Sequence, residues 1–151
     1  EETLAILDDE GLAARAAAAG ERLLSGLRAR LGGHRLVRDV RGRGLLVGIE
    51  LGPTERGALN KLAPGLVRSV ARGAFGQWAS LRLLERGIIA QPASHRWDVL
   101  RLEPPLTVAD AEIDTLIAGV GDVLDAYEGI TPLLRDVTAR LGRQAIARWR
   151  F

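Results

Sequence analysis

The chain has 151 residues, 47% of them hydrophobic, with 21 Lys+Arg against 19 Asp+Glu, a net charge of +2. That balance fits one globular domain with a sizeable core; it excludes a disordered or fibrous chain and gives no electrostatic footprint for nucleic acid. Cysteine and methionine are absent and His34 and His95 are the only histidines, which excludes disulfides, thiolate metal sites, thiol nucleophiles and haem or iron–sulfur ligation, and leaves no compact His/Asp/Glu spacing for zinc.

The chain opens with a short segment holding Leu4 and Leu7, broken at Asp8-Asp9-Glu10-Gly11. An alanine-rich run follows with high helix propensity, and Leu23, Leu24, Leu27 and Leu31 recur at helical spacing. A helix is expected over residues 11–31, with Arg15, Glu21, Arg22, Arg28 and Arg30 toward water and Gly32-Gly33 as its end. The period then changes. Val37, Val40, Leu45, Val47, Ile49 and Leu51 alternate or cluster as in strands, and Gly42 and Gly44 mark a bend, so this is a hairpin candidate. From Gly52 to Gly73 the composition shifts to Gly, Pro, Thr, Asn and charge, which reads as an irregular insertion with a short helical turn after Pro64.

Helical spacing returns from Phe75 to Arg86, with Trp78, Leu81 and Leu84 on one face, Ala79 and Leu83 on the next, and Gly87 as the stop. A short buried strand is expected at Ile88 to Ala90, then a loop from Gln91 to Trp97, then a strand holding Val99, Leu100 and Leu102 that Pro104-Pro105 must end. Thr107, with Asp110 three places on, looks like a helix entry. The stripe Ile113, Leu116, Ile117, Val120, Val123, Leu124, Tyr127 carries that helix to about Tyr127. After Glu128-Gly129 a last amphipathic helix is expected, with Leu134, Val137, Leu141, Ala145 and Trp149 on one side and Arg135, Arg140, Arg143, Arg148 and Arg150 on the other. This order predicts an α+β fold, a small and mostly antiparallel sheet with helices packed on one side, plus the C-terminal amphipathic helix. The domain boundary falls at 1–129 and 130–151. The tail is expected to dock back on the domain, to begin a further domain, or to meet an anionic partner or membrane surface through its arginines.

Three blocks carry a resemblance: Val40-Arg41-Gly42-Arg43-Gly44-Leu45-Leu46-Val47-Gly48-Ile49-Glu50-Leu51, then Leu84-Glu85-Arg86-Gly87-Ile88-Ile89, then Val99-Leu100-Arg101-Leu102-Glu103-Pro104-Pro105-Leu106-Thr107. In this order they resemble the C-terminal small domain of class III pyridoxal-phosphate-dependent aminotransferases, the ornithine, acetylornithine and putrescine group. The wording Glu103-Pro104-Pro105-Leu106-Thr107 is most similar to the putrescine branch. The resemblance covers roughly Glu1 to Tyr127. It implies a parent that moves an amino group between an amine or amino acid and a keto acid, with pyridoxal phosphate bound mainly by a preceding large domain, and a homodimer. The cofactor lysine, the aspartate at the pyridine nitrogen and most of the phosphate site belong to that large domain and have no match here.

Lys61 is the sole lysine and lies in the insertion, without the strand-end context of a Schiff-base lysine. The chain also begins at Glu1 rather than Met. We therefore expect a piece of a longer polypeptide that is catalytically inert by itself, with no catalytic residue, cofactor ligand or metal ligand of its own. The resemblance assigns Arg101 as the residue that receives a substrate carboxylate, and a guanidinium suits that task because its planar fork pairs with a carboxylate through two bonds. The bland alternative is an exposed strand arginine bridging to Glu103 or Glu50. His95 and Trp97, in the loop before that strand, are candidates for the mouth of the substrate site, with surface packing as their alternative. In case the tail or sheet face serves a partner instead, the rival reading is a non-catalytic α+β binding or regulatory module.

Other patterns fail on chemistry. Gly42, Gly44 and Gly48 miss the dinucleotide spacing and lead into a strand rather than a helix. Arg41 and Arg43 form a single copy embedded in strands, unlike a repeated RNA-binding Arg-Gly segment. Ser94, His95 and Asp98 lie too close in the chain to fold into a triad. Residues long and apolar enough for a membrane span, roughly 18 in a row, are absent, as is a signal-peptide pattern. A soluble, cytoplasmic protein is expected.

Overall fold

The computed structural model describes residues 2–52 and 76–126 together with Arg135, Asp136 and Ala139. Helix α1 (Glu2–Asp9) buries none of its residues. Leu4 is exposed. Helix α2 (Leu12–Leu31) follows the predicted span and buries Leu23, Leu24, Leu27 and Leu31. Strands β1 (Val37–Arg43) and β2 (Leu46–Leu51) form the predicted hairpin, joined by Gly44-Leu45. Gly44 takes φ 54 while no residue other than glycine has positive φ among those described, the pattern of a type II′ turn. Gly42 lies inside β1 instead of at the bend.

Helix α3 spans residues 76–84. It ends as expected, with Gly87 at φ 75. The Gly87 amide donates to the Leu84 carbonyl and the Ile88 amide to the Leu83 carbonyl, both at 2.9 Å, which is a Schellman cap. That cap overturns the strand expected at Ile88–Ala90. Ile88 is the residue that closes the helix end and packs on the core, so its apolar character serves the cap rather than a ladder, while Ile89 points to solvent. Strand β3 (Gln91–Ala93) instead forms inside the predicted loop, at the sheet edge, where Pro92 costs little because an edge strand need not donate on its open side. Strand β4 (Arg96–Leu102) starts earlier than expected and ends at the prolines.

The last described helix, α4 (Asp110–Asp125), begins three residues after Thr107. Thr107 sits in a turn in which the Val108 amide donates to the Pro105 carbonyl at 3.0 Å. The helix entry is Ala109, whose own amide is satisfied by Glu112 Oε2 at 2.8 Å, half of a capping box.

The sheet has the order β1-β2-β4-β3, and every pair is antiparallel. Val40, Val47, Ile49, Leu51, Leu100 and Leu102 face one side, where they pack with the α2 leucines, Trp78, Ala79 and Leu83 of α3, and Ile113, Val120, Val123 and Leu124 of α4. Helices cover one face of the sheet, as the pattern predicted. Arg22 reaches Asp110 and Asp114 near the start of α4, and Arg30 reaches Asp122 and Asp125 near its end, so α2 and α4 run side by side in the same direction. The insertion from residue 53 onward, with Lys61 and Pro64, lies outside the described residues, as does most of 130–151.

Candidate functional site

Because Leu100 and Leu102 are buried in the core, the strand period of two turns Arg101 to the opposite face, which none of the described helices covers. Its neighbours are fixed by register. Arg101 pairs with Gly48 on β2 and with Gln91 on β3, and Gly48 pairs in turn with Arg41 on β1, so Arg41, Gly48, Arg101 and Gln91 form one row across the sheet. A side chain at Gly48 would press on Val99, whose Cγ1 lies 3.3 Å from where its Cβ would be, so Val99 fills the space between the two arginines. Adjacent strands lie about 4.8 Å apart, which puts their backbones roughly 10 Å from each other.

The two arginines differ in their surroundings. Arg41 Nη1 donates to Asp39 Oδ2 at 2.6 Å and to Glu50 Oε2 at 2.9 Å, and those hydrogen bonds, Asp39 first, raise its pKa further. Glu50 is mostly buried and also meets Arg96 at 2.9 Å and Arg38 at 3.9 Å. Arg96 in turn holds the buried Asp98 through its Nε at 2.9 Å, the main cause of its own raised pKa. These charges balance one another and tie three strands together. Arg101 stands apart from that cluster: its ion pair is Nε to Glu103 Oε1 at 3.0 Å, with both side chains nearly half exposed. Of the two acids weighed for it from the sequence, Glu103 is the one it meets. Pro104 restricts Glu103 to extended backbone, which holds the pair on one face of the strand.

His95 and Trp97 are not brought to Arg101. Trp97 is four places back along β4, about 13 Å at the usual ~3.3 Å rise, and His95 is in the turn beyond. Ser94 Oγ lies 3.1 Å from His95 Nδ1, and Trp97 Nε1 donates to the Ser94 carbonyl at 3.1 Å. Trp97 and His95 are exposed, so the turn is a local, solvent-facing arrangement at the far end of the strand. Gln91 is the neighbour that sequence reasoning missed. It lay in a predicted loop, and only the β3–β4 pairing places it next to Arg101.

A cleft of about 450 Å³ lies elsewhere, between α2 and the entry to α4, and contains none of these residues. Among the described residues there is no group of three His, Cys, Asp or Glu able to hold a metal. Nor is there a lysine among them.

The family model for class III aminotransferases matches residues 1–124. The 5-aminovalerate aminotransferase of Pseudomonas aeruginosa is 33% identical over 122 residues, covering 81% of this chain and 26% of that protein. A diaminobutyrate–2-oxoglutarate aminotransferase of Rhizobium meliloti is 33% identical over 147 residues, 95% of this chain and 26% of the relative. Among solved structures, Plasmodium falciparum ornithine δ-aminotransferase superposes with a TM-score of 0.64 at 26% identity, over 84% of this chain and 27% of that one. The chain thus spans about a quarter of the length of the relatives it matches. With a family model matched over most of its length and relatives of one activity class, the chain belongs to the class III aminotransferases.

Proposed function

We propose that residues 1–129 are the C-terminal small domain of a pyridoxal-phosphate-dependent aminotransferase that moves an amino group between an amine or amino acid and a keto acid. The observation that carries this reading is Arg101: a half-exposed arginine held mid-sheet on the open face, within the stretch that the class III model matches. The match to about a quarter of each relative supports a preceding large domain as the seat of the cofactor. The chain alone is then inactive, and the assembled enzyme is a cytoplasmic homodimer.

In this enzyme pyridoxal phosphate supplies the electron sink for the transfer. The chain contributes binding. Arg101 presents its guanidinium to a substrate carboxylate, and its backbone cannot drift because β2 and β3 flank it and two prolines close the strand. Before the keto acid arrives, Glu103 neutralises the guanidinium. A carboxylate entering the site competes with Glu103 for the same donors. His95 and Trp97, distant from Arg101, serve at the mouth of the substrate site rather than on the carboxylate.

The test uses the full-length polypeptide. A visible absorbance band that borohydride removes is expected there and not in this chain alone. Arg101→Ala raises the apparent KM for the keto acid about 10- to 100-fold, the loss of a charge-assisted pair, with cofactor content unchanged. Arg101→Lys recovers only part, since an ammonium keeps the charge without the fork. An unchanged KM in Arg101→Ala rejects the assignment and leaves Arg101 a structural partner of Glu103. Absence of the band, even with added cofactor, moves the balance to a non-catalytic binding module.

A further inference from the structure

Gln91 of β3 is the residue paired with Arg101 across the β3–β4 ladder. Residues directly opposite one another in an antiparallel pair point to the same face with their Cβ atoms roughly 5 Å apart, so the Gln91 amide and the Arg101 guanidinium can meet one ligand. The Gln91 side chain is exposed and makes no hydrogen bond among the described residues.

The backbone of Gln91 is held in the same way as that of Glu103. Pro92 follows Gln91 as Pro104 follows Glu103, and a residue before proline is confined to extended backbone. Both side chains that flank Arg101 are therefore placed by prolines. The irregularity in this ladder falls between Pro92 and Ala93, so it leaves the pairing of Gln91 with Arg101 in register.

The other side of Arg101 offers nothing comparable. Gly48 has no side chain, Val99 fills the space beside it, and Arg41 is committed to Asp39 and Glu50. Glu103 is an acid and repels a carboxylate. Among the described residues of this row, Gln91 is the uncommitted hydrogen-bond donor next to Arg101.

We infer, on the reading of Arg101 given above, that Gln91 is a second carboxylate-binding residue: its Nε2–H donates to an oxygen of the keto acid or amino acid carboxylate that Arg101 holds. A neutral amide suits the place. A carboxylate accepts at about four sites, more than one guanidinium fills, and an amide adds a donor there without adding a charge to be offset.

The experiment is steady-state kinetics of the full-length, cofactor-loaded polypeptide with the keto acid that it uses, pyruvate or 2-oxoglutarate, together with the inhibition constant of glutarate, a carboxylate that has no keto group to react. Gln91→Ala is expected to raise the keto acid KM and the glutarate constant about 3- to 10-fold, the loss of one neutral hydrogen bond, with kcat unchanged. Placed on top of Arg101→Ala, it should add less than it does alone, because both residues hold one carboxylate. Gln91→Glu keeps the length, removes the donor and sets a second acid beside Arg101, so its KM should exceed that of Gln91→Ala. An unchanged KM in Gln91→Ala, where Arg101→Ala raises it, overturns the role of Gln91 and leaves that of Arg101 in place; unchanged constants in both variants overturn the carboxylate site itself. Fully additive effects, or a fall in kcat at constant KM, also overturn the role of Gln91, for it would then act on something other than that carboxylate.

Discussion

His34 and Asp125 show how single residues join segments far apart in sequence. The Leu36 amide donates to His34 Nδ1 at 3.1 Å, which leaves the ring proton on Nε2, 3.6 Å from Asp125 Oδ1. Arg30 hydrogen-bonds the same carboxylate, and that bond lowers the Asp125 pKa, opposed by burial and helped to a lesser degree by the charge of Arg30. A carboxyl whose pKa is lower in the folded state stabilises the fold above its unfolded value, about 3.9, and loses that contribution as pH falls through the folded value. Asp125→Asn should therefore lower the urea midpoint at pH 7, and the gap to wild type should shrink as the pH is taken below about 4. A gap of equal size at pH 7 and pH 3 would show that the carboxylate charge contributes nothing. The pairing of His34 with Asp125 was not legible in the sequence, because Asp125 comes from a distant part of the chain.

Helix ends were the least legible elements, and α3 explains why. Gly87 was readable as a stop, but the apolar Ile88-Ile89-Ala90 that follows it satisfies a strand pattern and a capping pattern equally well. The cap prevails because Ile88 can both donate its amide to Leu83 and bury its side chain on the core. Gly87 at φ 75 has nothing within 4 Å of an added Cβ, so Gly87→Ala carries a backbone penalty without a steric one. A loss of about 1 kcal/mol is expected in denaturant unfolding, with no change in the m-value. A neutral result would mean that the chain leaves the left-handed region at little cost and that the cap is weaker than its two hydrogen bonds imply.

The whole molecule depends on how closely its layers approach. A Cβ placed on Gly20 would lie 2.2 Å from the backbone of Gly44, so α2 touches the hairpin turn directly. Backbone cannot rotate aside as a side chain can, and Gly20→Ala must push the hairpin off the helix. We expect a loss of about 2–3 kcal/mol in thermal or urea unfolding, in the range of overpacked cores. The same displacement moves β2, whose Gly48 flanks Arg101. A stability equal to wild type would show that helix and hairpin separate freely.

The sequence by itself determined the periodic parts: helix α2, the β1–β2 hairpin, the strand that the prolines end and the apolar stripe of α4. In each, side-chain spacing and local chemistry agree on one structure, so no distant contact is needed to decide. It also supplied the family, through three blocks that the class III model then matched. Tertiary structure alone decided the rest. Gln91 stands beside Arg101 because β3 adds to the sheet edge, and Glu103 rather than Glu50 meets Arg101 because Glu50 is already held by Arg38, Arg41 and Arg96. Three residues of edge strand have too little pattern to be recognised, and a choice among acids is made by register and competition, both properties of the packed sheet.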